Sequence, residues 1–195
     1  MAGEKYIVAT SENPFHIAVR NVLNPCGYMF LGNCSDSVSL LRLIRSYNPE
    51  FIVVDLAMQW RELKQTIDTV DDEMLCACIL VGDYKDVEIT NLVENSSVLS
   101  FCYKPMNKDI LIHTTELANI NYRRLFQLNK KLKEATENYE TRKLIERAKH
   151  LLMERDNLSE NEAYTRMRKK SMDSRVTMKY IAEAVIFTHE LEGKK

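Results

Sequence analysis

From residue 5 to about residue 103, short apolar runs alternate with stretches whose apolar residues recur every three or four positions. The runs are Lys5–Ala9, Tyr28–Gly32, Phe51–Asp55, Leu75–Val81 and Val98–Tyr103. Several are apolar almost throughout, as strands covered on both faces of a parallel sheet would be. Between them, Pro14–Leu23 puts Phe15, Ala18, Val19 and Val22 on one helical face, and Val38–Ile44 aligns Leu40, Leu41 and Ile44 behind Asp36, a residue suited to the N-cap. Ile89, Leu92 and Val93 mark a further short helix. Five strands with interleaved helices predict a doubly wound α/β domain, with its functional loops at the carboxyl ends of the strands.

From Asn107 onward the strand pattern stops. Ala118, Leu125, Leu132 and Tyr139 recur every seventh residue, and Asn121, Leu128 and Ala135 follow each of the first three by three positions. With no proline or glycine between Pro105 and Gly193, this spacing predicts a long helix bearing a heptad seam. A two-stranded coiled coil or a helix pair within one chain would satisfy that seam; the first is favoured because so long a stripe needs a partner. The last third reads as three helices. Ile145, Ala148 and Leu152 face inward on the first. Asp156-Asn157-Leu158 forms a turn, and Ser159 with Glu162 forms a capping box. Ala163, Met167 and Ser171 share a side of the second helix. Asp173-Ser174-Arg175 ends it, Thr177 caps the third, and Met153 and Met172 read as packing residues.

The net charge of −1 conceals an asymmetry. Residues 1–120 hold 9 Lys/Arg against 16 Asp/Glu (−7), and residues 121–195 hold 18 against 12 (+6). An acidic front suits a cation or phosphoryl site and a basic tail suits a polyanion, although solvated lysine-rich helices would look the same. No run of 18 apolar residues occurs and no leader pattern precedes the first strand, so a cytoplasmic protein off the membrane is expected. The five cysteines, Cys26, Cys34, Cys76, Cys78 and Cys102, have no histidine at metal-ligand spacing and read as reduced, mostly buried thiols.

Asp55 ends the third strand, where a carboxylate could act as a nucleophile toward a phosphoryl donor. Lys104, followed by Pro105, ends the fifth, where an ammonium could pair with the added phosphate. Over roughly residues 4–120 this arrangement resembles a response-regulator receiver domain. The resemblance implies a flavodoxin-like five-stranded parallel sheet, Asp55 as phosphoacceptor, Lys104 and Phe101 as the switch lysine and aromatic, Mg²⁺ held by Asp55 and Glu12, and a sensor histidine kinase or a regulatory protein as partner. Two positions depart from the family: Thr10-Ser11 stand where an acidic pair is usual, and Gly82 where a Ser or Thr is usual.

The string from Arg142 to Arg155, then Leu158 to Tyr164, then Met167 to Met172, resembles an ANTAR domain over about residues 139–189. Lys149, Leu152-Met153, Ser159, Glu162, Ala163-Tyr164, Arg168, Met172 and Ile181-Ala182-Glu183 carry the match; Ser171 replaces a usual alanine. Members are mostly transcription antiterminators that bind nascent RNA. Between Tyr139 and Ile181 there are 11 Lys/Arg against 7 Asp/Glu, and Arg147, Lys149, Arg166, Arg168, Lys169 and Arg175 are the candidates for phosphate contact. Tyr164 and Arg168, four apart, could together reach unpaired loop bases, although Tyr164 fits equally well as a core aromatic.

The expected organisation is a receiver-like signal domain (1–110), a connecting helix or coiled coil (111–138) and an RNA-binding three-helix module (139–195). The expected function is a homodimeric, signal-responsive antiterminator gripping paired hairpin loops of leader mRNA. The rivals are a DNA-binding response regulator and a protein–protein signalling adaptor. An enzyme is not expected, since no paired catalytic carboxylates, Cys–His pair or phosphate-cradling glycine loop emerges.

Overall fold

The computed structural model describes residues 3–58, 60–83, 96 and 99–192. The expected helix at Ile89, Leu92 and Val93 lies outside them. The element order is β1 (Lys5–Ala9), α1 (Asn13–Leu23), β2 (Met29–Cys34), α2 (Ser37–Tyr47), β3 (Phe51–Asp55), α3 (Trp60–Asp72), β4 (Ala77–Gly82), β5 (Leu99–Tyr103), α4 (Lys108–Asp156), α5 (Glu160–Ser174) and α6 (Met178–Glu192). The chain forms two compact units, residues 1–128 and 129–195, and α4 runs through both.

In the first unit all strand pairs are parallel, in the order β2-β1-β3-β4-β5. This is the flavodoxin-like receiver fold. Strand alternation divides the core between the sheet's two faces. Tyr6, Val8, Phe51 and Val53 pack with Phe15, Val19 and Leu23 of α1 and with Leu111 and Ala118 of α4. Ile7, Ala9, Ile52 and Val54 pack with Leu40 and Ile44 of α2 and Leu63, Ile67 and Val70 of α3. Every residue of β3 and β4 is buried, which explains why both strands lack polar alternation. Asp36 caps α2 as expected, its side chain accepting from Ser39 N at 2.8 Å.

Asp71-Asp72 close α3, and Glu73 just beyond pairs with Arg45 at 2.9 Å. The helix forms because Leu63, Ile67 and Val70 fall at four-and-three spacing and bury against the sheet. β2 and β4 run one or two residues further toward their carboxyl ends than the apolar pattern suggested.

The second unit buries seven apolar residues among those described: Ala148, Leu152, Ala163, Met167, Ile181, Ala182 and Ile186. Three alanines permit close helix approach. Asn157 and Arg175, both left-handed, turn the chain after α4 and α5. Ser159 and Glu162 make the expected capping box, and Thr177 Oγ1 accepts from Tyr180 N at 3.3 Å. Ser171 reaches the carbonyl of Val176. Met172 does not pack as expected: it is 69% exposed, while Met153 lies against the core.

Candidate functional sites in the two units

The strand order reverses direction between β1 and β3, which opens a crevice at their carboxyl ends. Register brings Thr10, Asp55, Gly82 and Lys104 together there: Ala9 pairs with Val54, Asp55 with Val81, and Gly82 with Tyr103. Asp55 is completely buried. Its Oδ1 accepts from Lys104 Nζ at 2.8 Å and from Ala57 N at 3.1 Å, and its Oδ2 accepts from the Thr10 hydroxyl at 3.0 Å. Lys104 Nζ also lies 5.3 Å from the centre of the Phe15 ring, and the Lys104 backbone N–H donates to Gly82 O at 2.8 Å. Phe101 forms an edge-on pair with the half-exposed Tyr103, their ring centres 4.6 Å apart.

The divalent cation implied by the receiver fold does not fit these residues. Glu12 is exposed and stands at the N-cap of α1 without a side-chain cap bond. Asp55 is taken by three donors, and among the described residues no three His, Cys, Asp or Glu side chains gather to hold a metal. Glu12 and Asp55, expected to share Mg²⁺, do not form such a set. The four buried thiols contribute no reactive group either. Burial pushes Cys34 and Cys76 up to about 12 and raises Cys78 and Cys102, which keeps them protonated.

In the helical unit the expected basic residues separate into two kinds. Lys149 is buried and bonded to Glu146 at 2.8 Å and Glu160 at 2.7 Å; those bonds raise its pKa and tie α4 to the start of α5. Its charge is satisfied inside the module. Arg147 pairs with Glu190 at 3.0 Å, and Arg166 with Asp156 at 2.6 Å. The Asp156 carboxyl is held low, first by its bond from Arg155 and then by both nearby guanidiniums. Arg168, Lys169 and Arg175 are exposed, with no ion-pair partner among the described residues.

These residues occupy two flanks of α5. Tyr164, 43% exposed, and Arg168 share one, so Tyr164 is not a core aromatic. Arg166, Lys169 and Lys170 share the other, on the far side of the buried Ala163–Met167 stripe. That second flank borders a cleft of about 400 Å³ whose floor includes Met167 and Ile181 and whose rim carries Arg155, Arg166, Lys169 and Lys170. Sequence reasoning did not single out Arg155 or Lys170; the four-residue step from Arg166 to Lys170 was the available signal. Along α4, Leu128, Leu132 and Tyr139 of the heptad seam are 61%, 65% and 70% exposed.

Comparison with known proteins assigns both units. Residues 133–186 match the family model of the ANTAR domain. The transcriptional regulatory protein PdtaR of Mycobacterium tuberculosis is 24% identical over 184 residues, covering 94% of this chain and 90% of that protein. The signal receiver domain of a modulated diguanylate cyclase from Desulfovibrio desulfuricans superposes with a TM-score of 0.54 at 18% identity, covering 62% of this chain and 97% of that one. The receiver domain of the putative response regulator NarL from M. tuberculosis gives 0.52 at 16%, covering 60% and 98%. At such identities the structural likeness establishes the fold of the first unit. No described helix is long and apolar enough to cross a membrane.

Proposed function

Because the chain is an ANTAR-domain response regulator with a receiver-fold first unit, we propose that it is a signal-responsive RNA-binding regulator, acting as a dimeric transcription antiterminator on paired hairpin loops of nascent mRNA. The observation that carries this reading is the ANTAR match over 133–186, on a module whose exposed cations are in part left without carboxylate partners. Free cations can displace the counterions of a phosphate backbone, whereas Lys149 and its two carboxylates cannot without breaking the module's own bonds. Loop bases are unstacked, and they seek flat cationic or aromatic partners. Lys169 on one flank of α5, and Tyr164 with Arg168 on the other, offer both cationic and aromatic groups.

The exposed Leu128, Leu132 and Tyr139 support pairing of α4 with a second copy. Two tethered modules raise the effective concentration for the second loop, so two weak contacts grip together. The first unit then controls how the dimer presents its modules. The protein acts in the cytoplasm, where the transcript is made.

The test is electrophoretic mobility shift of the full chain with a two-hairpin RNA, the same RNA with altered loops, and the matching duplex DNA. Retention of the first alone supports the proposal. Preferential retention of the duplex would instead support a DNA-binding regulator, and retention of none would support a protein–protein adaptor.

A further inference from the structure

We propose that Asp55 is the anchor of a metal-free latch and not a phosphoacceptor, so that input reaches the receiver-fold unit without phosphoryl transfer. The inference stands apart from the RNA reading, since it concerns only the ends of β1, β3, β4 and β5.

Three features carry it. First, Thr10 replaces a metal-ligating acid with a donor. Glu12 N–H donates to Thr10 Oγ1 at 3.0 Å, so that oxygen acts there as acceptor. Its own proton goes to Asp55 Oδ2 at 3.0 Å, the alternative carbonyl of Glu12 being 3.4 Å away. A magnesium ion is bound through carboxylates, phosphates and waters in an octahedron; a hydroxyl proton aimed at the remaining carboxylate opposes that.

Second, the carboxylate is held on both oxygens. Attack on phosphorus needs a carboxylate oxygen that can approach the donor, yet Oδ1 accepts two bonds, Oδ2 accepts one, and the residue is fully buried. The charges of Asp55 and Lys104 cancel. A phosphoryl group would add negative charge to a buried place where the described residues supply no further cation to meet it.

Third, the position of the usual phosphate-sensing hydroxyl is closed. A Cβ on Gly82 would lie 2.6 Å from Leu56 Cδ1 and 3.1 Å from Leu56 Cβ. Leu56 therefore fills the space that a Ser or Thr side chain would take at the end of β4. The three features are mutually consistent: the ammonium balances the charge of Asp55 and the hydroxyl bonds its other oxygen, where a cation would otherwise be needed.

The experiment uses the full chain. It is incubated with acetyl phosphate and Mg²⁺ and read by intact mass, then melted with and without Mg²⁺ plus beryllofluoride. The wild type is expected to gain no phosphoryl mass and to melt unchanged. Thr10→Val, which keeps the shape and deletes the proton, is expected to lower the melting temperature by about 2–4 °C whether or not Mg²⁺ is present. The Thr10→Asp/Ser11→Asp double variant is expected to gain a Mg²⁺-dependent rise in melting temperature that the wild type lacks. A phosphoryl adduct on the wild type that disappears in Asp55→Asn would overturn the proposal. So would an unchanged melting temperature for Thr10→Val.

Discussion

The sheet unit and the helical module of this chain handle charge in opposite ways. In the sheet, Asp55 is sealed at the end of β3 and both of its oxygens accept bonds from within. In the module, Lys149 is sealed in the same manner, but Arg168, Lys169 and Arg175 stand in solvent without partners among the described residues. The difference follows from core size. A sheet covered on both faces can bury a carboxylate between two apolar clusters, whereas seven buried apolar residues leave most of a three-helix unit at its surface. A buried, satisfied charge holds structure; an exposed, unsatisfied one is available to a ligand.

The contrast can be broken first at the sheet core. Ile52→Ala removes a fully buried side chain packed from β3 toward α2 and α3, and should cost about 2–5 kcal/mol in denaturant unfolding. Next in size is Lys104→Met, which strands the Asp55 carboxylate. Breaking a fully buried pair costs about 3–5 kcal/mol, and the 29% exposure of the Lys104 side chain reduces this to about 2 kcal/mol. Asp55→Asn, which keeps one accepting oxygen and removes the buried charge, should cost less. The reverse ranking would mean that the pair does not carry the site.

In the module, reversing Lys169 and Lys170 together to Glu should leave stability within about 0.5 kcal/mol, since neither has an ion-pair partner among the described residues. RNA affinity should fall about tenfold or more, with a shallower salt dependence, as read by titration at several salt concentrations. An equal loss from Arg168→Glu, with none from the lysines, would move the contact to the Tyr164 flank.

Ser159→Ala should cost about 1 kcal/mol of helix stability by thermal melting. The cap also sets a pH dependence. Bonds from Ser159 hold the Glu162 carboxyl below its ordinary 4.5, and the Lys149 bond does the same for Glu160. Carboxyls with lowered folded-state values contribute fully above their unfolded value and lose that contribution as pH falls through the folded one. The module should therefore soften below about pH 4.5 in a circular-dichroism titration, and the Ser159→Ala variant should show a smaller change there.

Much of the fold was legible because its signals are local. β1 and β3 run over the residues their apolar runs marked, Asp36 caps α2, and Ser159-Glu162 opens α5, each dictated by neighbours a few positions apart. What escaped depends on distant segments meeting. Helix α3 hides three apolar residues in a polar run, and its inward face is visible only once a sheet exists to receive it. Lys149 reads as one more solvated lysine until Glu160, eleven residues on, folds back to it. Thr10 reads as the loss of a ligand, and the hydroxyl bond that replaces the ligand requires the ends of β1 and β3 to be adjacent.

The distribution of sulfur has a practical corollary. Cys26 is exposed, whereas Cys34, Cys76, Cys78 and Cys102 are shut inside the sheet unit. A maleimide dye should decorate the native chain at a single place, far along the sequence from the helical module. Unmasking of the other four then becomes a clock for opening of the sheet unit, untroubled by the helical tail, which contains no cysteine.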